Sequence, residues 1–132
     1  MRTARKYGNK KVTYDGIEFD SRKEARRYQE LKLLERAGKI QGLELQKVFE
    51  LIPAQYEATG ERYTKGKNKG LFKKRLVERA VTYKADFYYI ENGKAVVEDI
   101  KGYVDPASGA FARYTIKRKL MLYVHGIKIK EI

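Results

Sequence analysis

With 132 residues the chain is long enough for one domain and too short for two. It contains no cysteine, which excludes disulfides and thiolate metal sites. Thirty Lys and Arg against seventeen Asp and Glu give a formal charge of +13, a balance expected of a domain that faces a polyanion, because neutralising phosphates releases condensed counterions. The start, Met1-Arg2-Thr3-Ala4-Arg5-Lys6, is charged and no apolar stretch follows it. No signal peptide and no membrane span are expected, and a cytoplasmic location is the default.

The segment from Arg2 to Lys11 carries five basic residues and no acid, Lys10 and Lys11 among them. Val12 to Phe19 alternates around Asp15-Gly16, a hairpin signal, so residues 1–20 read as a basic N-terminal hairpin. Ser21-Arg22-Lys23-Glu24 matches a capping box, and Gly38 supplies a stop. Between them Ala25, Tyr28, Leu31 and Leu34 form the apolar stripe of a helix. Leu43 to Ile52 reads as a strand closed by Pro53. Residues 58–79 are basic, glycine-interrupted and without a clear period, and are expected as a flexible loop or hairpin. Lys73, Lys74 and Arg75 lie in it; such a stretch either binds a partner or is a solvated linker. Val81 to Ile90 and Lys94 to Lys101 are two further strands joined by Asn92-Gly93. Ala110 to His125 reads as a second helix ended by Gly126, and Ile127 to Ile132 as a last strand. The order predicts a single-domain α/β sandwich, with one mixed sheet and a helix before and after its central strands.

Asn92-Gly93 is a strong signal for a type I′ turn, and that turn fixes a register. Glu91 pairs with Lys94, and outward from there Asp86 falls opposite Asp99. Lys101 lies two residues beyond Asp99 and shares its face. Two facing carboxylates repel. A divalent cation, the Lys101 ammonium or uptake of a proton would each offset that. Read without further help, the set is either a metal-binding catalytic group or a cross-strand salt bridge.

The pattern of Asp86, a hairpin, then Asp99-Ile100-Lys101 resembles the PD-(D/E)XK nuclease superfamily. Over nearly the whole chain the sequence is similar to small phage-borne members of it. Tyr14-Asp15-Gly16, Phe19-Asp20-Ser21 with Glu24, Leu45-Gln46, Tyr83 to Phe87, Val97 to Gly102 and Lys117 to Leu120 carry the likeness. Ala85 stands where the motif's name has proline. The resemblance implies a restriction-endonuclease-like core (α-β-β-β-α-β) and a Mg²⁺- or Mn²⁺-dependent DNA endonuclease. It implies that Asp86 and Asp99 bind the metal, with the Ile100 carbonyl as a further oxygen ligand, and that Lys101 orients or activates the attacking water. Glu24 is either a further acid of the site or only the helix cap. Gln46 is implied as a neighbour of the site. Lys117 either reaches the site or joins Arg113 and Lys119 in contacting phosphates. Branched DNA such as a Holliday junction is the substrate the small phage members suggest, cut by a homodimer in a bacterial cytoplasm. The alternative is a basic nucleic-acid-binding module without chemistry. That alternative explains the charge and leaves Asp86 facing Asp99 without a purpose.

Overall fold

The computed structural model describes residues 10–102 and 105–132. The expected basic segment up to residue 9 lies outside the described residues. The protein is an α/β structure with a mixed four-stranded sheet, two helices and two separate hairpins. The elements are β1 (Val12–Tyr14), β2 (Ile17–Phe19), α1 (Arg22–Arg36), β3 (Gln41–Ile52), β4 (Gln55–Arg62), β5 (Phe72–Glu78), β6 (Val81–Glu91), β7 (Lys94–Asp99), α2 (Gly109–His125) and β8 (Lys130–Glu131). The sheet order is β3-β6-β7-β8, antiparallel except for the β7–β8 pair. No helix among the described residues is long and apolar enough to cross a membrane.

The local signals explain most of these elements. Asp15-Gly16 and Asn92-Gly93 both adopt positive φ, as a type I′ turn demands, and they close β1–β2 and β6–β7. Ser21 caps α1 by accepting the Glu24 N–H at 3.1 Å. Glu24, Ala25, Tyr28 and Leu31 form the buried face of α1. Ser108 caps α2 in the same way, accepting the Phe111 N–H. The last strand is shorter than the expected 127–132. The chain first closes α2 with Gly126 in the left-handed conformation and seats Ile129 in the core before pairing begins.

Of the two readings of residues 58–79, the hairpin is the one found. These residues form most of β4 and β5, a two-stranded ribbon inserted between β3 and β6. Five strands therefore separate the helices instead of the three expected, and two of them stand apart from the main sheet.

Two core clusters lie on opposite faces of the sheet. Val96 packs with the α1 cluster of Phe19, Tyr28, Leu31, Phe87 and Tyr89. Its neighbour Val97 belongs to the α2 cluster with Phe49, Tyr83, Ala85 and Met121. Strand alternation should keep residues 83, 85, 87 and 89 on one face. They divide instead: Tyr83 and Ala85 go to the α2 cluster, Phe87 and Tyr89 to the α1 cluster. On β3, Leu45 packs with the α1 cluster and Phe49 and Leu51 with the α2 cluster. Both strands thus change face at the level of Gln46 and Asp86, which the flanking pairs Leu45↔Phe87 and Lys47↔Ala85 set opposite each other. Gln46 has φ 55 there. For a side-chain-bearing residue that conformation costs about 1 kcal/mol or more.

Candidate active site

The expected register holds from Glu91↔Lys94 to Phe87↔Glu98 and then stops. Asp86 and Asp99 do not continue the ladder as a simple facing pair. The strands part, because the Asp86 carboxylate itself accepts the Ile100 N–H at 2.8 Å. β7 turns to β8 instead: the Ile132 N–H donates to the Asp99 carbonyl and the Lys101 N–H to the Ile132 carbonyl, both at 3.0 Å. The site forms where the strands diverge, beside the first turn of α1. There a cleft of about 320 Å³ is lined by Lys10, Asp20, Glu24, Asp86, Ile100 and Lys101, among others.

On the α1 side, Gln46 joins two carboxylates. Its Nε2 donates to Glu24 Oε1 at 3.3 Å and to Asp86 Oδ1 at 3.4 Å. The strained backbone at Gln46 is therefore used to aim an amide between two acids. Lys23 Nζ donates to the Lys101 carbonyl at 2.9 Å and ties α1 to the end of β7. On the α2 side, Asp99 accepts the Tyr83 hydroxyl at 2.9 Å and pairs with Lys101 Nζ at 3.4 Å. That ammonium also stands 3.1 Å from the centre of the Tyr114 ring. Tyr114 in turn donates to Glu131 at 2.7 Å.

Glu24 is 7% exposed. Burial, then the charges of Asp86, Asp20 and Asp99, push its carboxyl up to about 7, against a smaller opposing bond to the Asp20 backbone. Asp86 is also raised, chiefly by burial, although the Ile100 N–H favours its charged form. Glu24 therefore does more than hold the helix start: its carboxylate reaches Gln46 and lies within the field of Asp86.

The raised Glu24 value gives a testable consequence. Between the ordinary carboxyl range and about 7 the folded protein holds a proton that the unfolded chain has released, so stability falls as pH rises through that window. We expect Glu24→Gln, in the presence of EDTA, to melt higher than wild type at pH 8 and equally at pH 4. Equal melting at both pH values would mean that Glu24 carries no uncompensated charge.

Among the described residues, no three His, Asp or Glu side chains stand ready as a set of metal ligands. The hydrogen bonds account for this: Asp86 is turned to Ile100 and Gln46, Asp99 to Tyr83 and Lys101. The donor chemistry still suits a hard divalent cation, since several carboxylates crowd together and raise one of their number. Glu24, Asp86 and Asp99 are the residues that would hold it.

The other expected contacts are scattered. Lys10 lines the cleft, and Lys11 pairs with Glu18 at 3.3 Å. Lys117 is half-buried on α2, where Arg113 and Lys119 are exposed. Lys73, Lys74 and Arg75 lie on the β4–β5 ribbon, away from both cores. Lys73 and Arg75 are matched there with Glu61 and Glu57.

Sequence reasoning missed two features. Tyr83 and Tyr114 frame Asp99 and Lys101; Tyr83 lies three residues before Asp86, but nothing local marks Tyr114. The second is the fully buried Glu98, held by Arg27 through two bonds of 2.8 and 2.7 Å and by the Tyr89 hydroxyl. An acid inside an apolar strand was the available signal, because such a group needs a buried partner.

No curated protein and no solved structure matches the chain. Residues 4–129 match the model of a family described as "Protein of unknown function (DUF1064)", and with nearly its whole length covered the chain belongs to that family.

Proposed function

We propose that this protein is a metal-dependent DNA endonuclease with a restriction-endonuclease-like core, consistent with its likeness to PD-(D/E)XK enzymes. The observation that carries the reading is a cleft lined by Glu24, Asp86 and Lys101, with Gln46 bonded to both acids and Asp99 paired with the lysine. The net charge of +13 supports a polyanionic substrate.

Mg²⁺ or Mn²⁺, when bound by the carboxylates, would supply a water of lowered pKa and neutralise charge on the phosphate. The chain's own residues do the rest. Asp86 is fixed at the cleft in one orientation, one oxygen accepting the Ile100 N–H and the other the Gln46 amide. Gln46 holds Glu24 and Asp86 side by side. Lys101 is held between Asp99 and the Tyr114 ring, from which its ammonium can orient the attacking water and meet charge growing on a phosphate oxygen. Lys23 and the β8 backbone pin the main chain on either side of this lysine.

A panel of labelled duplex, single-stranded, flap, fork and four-way-junction DNAs with Mg²⁺ or Mn²⁺ tests the proposal. We expect cleavage of one or more by wild type. Asp99→Asn should bind the same DNA and leave it intact. Preference for the junction, together with a dimer in sedimentation, would identify a structure-selective enzyme that cuts two strands symmetrically. Binding without cleavage by both proteins, indifferent to metal, would favour the non-catalytic binding module.

A further inference from the structure

The β4–β5 ribbon has no counterpart in the site. Its strands pair only with each other among the described residues, and neither core cluster includes any of its side chains. An isolated two-stranded ribbon is only marginally stable in water, so a projecting one with apolar side chains implies a partner.

The two faces of the ribbon differ. One carries Glu57, Glu61, Lys73 and Arg75, matched as ion pairs. The register places Tyr56 opposite Leu76, Ala58 opposite Lys74 and Arg62 opposite Phe72 on the other. Tyr56, Phe72 and Leu76 are 58%, 54% and 46% exposed. The Arg62 guanidinium lies 4.2 Å from the centre of the Phe72 ring. Arg62 and Lys74 have no ion pair among the described residues, and the one acid of the two strands outside the matched pairs, Glu78, stands at the base of β5 beyond a bulge. The tip adds Lys65, Lys67 and Lys69, with no acid from residue 62 to residue 76.

We infer that the β4–β5 ribbon is a DNA-gripping arm: its unpaired face enters the major groove of a duplex beside the cleft, and its lysine tip meets phosphates. This rests on DNA as the partner in the proposed function, though not on the hydrolysis. The dimensions fit. The eight residues of β4 span about 26 Å, at ~3.3 Å per residue. Two strands ~4.8 Å apart enter a groove about 12 Å wide, which admits a two-stranded ribbon. Charge favours DNA over a second copy of the chain, since packing two such faces together would bring Arg62 and Lys74 against like charges. Tyr56, Phe72 and Leu76 would cover base edges and thymine methyl groups, while Arg62, held by Phe72 and by the Gly70 carbonyl, would bond base acceptors.

The experiment is anisotropy of a short labelled DNA duplex over a range of salt, in EDTA so that no strand is cut. Replacing Lys65, Lys67 and Lys69 with Gln should weaken binding about 10-fold or more and lower the salt slope by about 2–3. Phe72→Ala with Leu76→Ala should weaken binding about 5-fold or more with the slope unchanged. Because these side chains lie outside both cores, melting temperatures should match wild type, and the exposed lysines keep the test sound if the apolar pair alters folding. Wild-type affinity in the lysine variant overturns the inference. So does an RNA duplex bound equally well through the same residues, because the A-form major groove is too narrow for a ribbon. A wild-type dimer that Phe72→Ser with Leu76→Ser converts to monomer would assign the face to a second copy. Arm-dependent binding with no cleavage in Mg²⁺ would sink the nuclease reading alone; cleavage with arm-independent binding would sink the arm alone.

Discussion

Asp86→Asn is expected to leave a protein that folds and binds DNA as wild type does while cleavage falls by about 10³-fold or more, a loss of ~4 kcal/mol of transition-state stabilisation. The residue is suited to such a clean separation. Its bond to the Ile100 N–H needs only an oxygen, which asparagine retains; the weaker bond from Gln46 is lost, and Gln46 keeps Glu24 as its acceptor. Its negative charge is a cost in the resting protein, where burial and Asp99 raise its carboxyl and where it raises Glu24 in turn. Removing that charge should keep or slightly raise the melting temperature in EDTA, and it should remove any stabilisation conferred by Mg²⁺. Cleavage kinetics and melts on the same sample check both halves. Retained cleavage, or collapse of the fold, would mean that Asp86 serves only to cap the end of β7.

Glu98→Ala should do the opposite, unfolding the protein without touching the site directly. Glu98 is fully buried, and Arg27 holds both its oxygens. Burial alone would raise its carboxyl, but the bonds from Arg27 and Tyr89 outweigh that and hold it below the ordinary value. Alanine would strand the Arg27 guanidinium under the sheet with only Glu30 at its rim. Breaking a buried pair in this way costs about 3–5 kcal/mol, which lowers the melting temperature by roughly 10–20 °C for a domain of this size. The sign with pH follows. A lowered folded value gives stability that is present above the unfolded carboxyl range and lost as pH falls through the folded one. The gap between wild type and Glu98→Gln should therefore be widest near neutrality and shrink in acid. A gap that stays constant down to acid unfolding would mean that the charge of Glu98 contributes nothing.

Much of this architecture is legible in the chain because its signals are local. A capping box, two Asx-Gly turns and an apolar stripe define α1 and both tight hairpins, and the Asn92-Gly93 turn sets the β6–β7 register as far as Phe87↔Glu98. Beyond that point the outcome depends on a competition that residue spacing does not express. A carboxylate takes a backbone donor that a continued ladder would have given to a carbonyl. The change of face at Gln46 is hidden for a similar reason, since nothing in a glutamine announces positive φ. Residues 58–79 lack clean alternation because each face of the ribbon mixes charged and apolar groups, so pairing outside the core leaves no period to read. The Arg27–Glu98 pair joins residues 71 positions apart, and only the assembled sheet brings them together.

That distance applies to the whole cleft. Glu24 meets Gln46, Gln46 meets Asp86, and Lys23 meets Lys101 across 22, 40 and 78 positions of the chain. Contacts of such separation wait on loop closure, whereas hairpins form from neighbours within microseconds. A half-folded or partly melted molecule would therefore hold its hairpins, with their marginal stability, before the acidic cluster exists. The carboxylates would come together only when both cores have closed around the sheet.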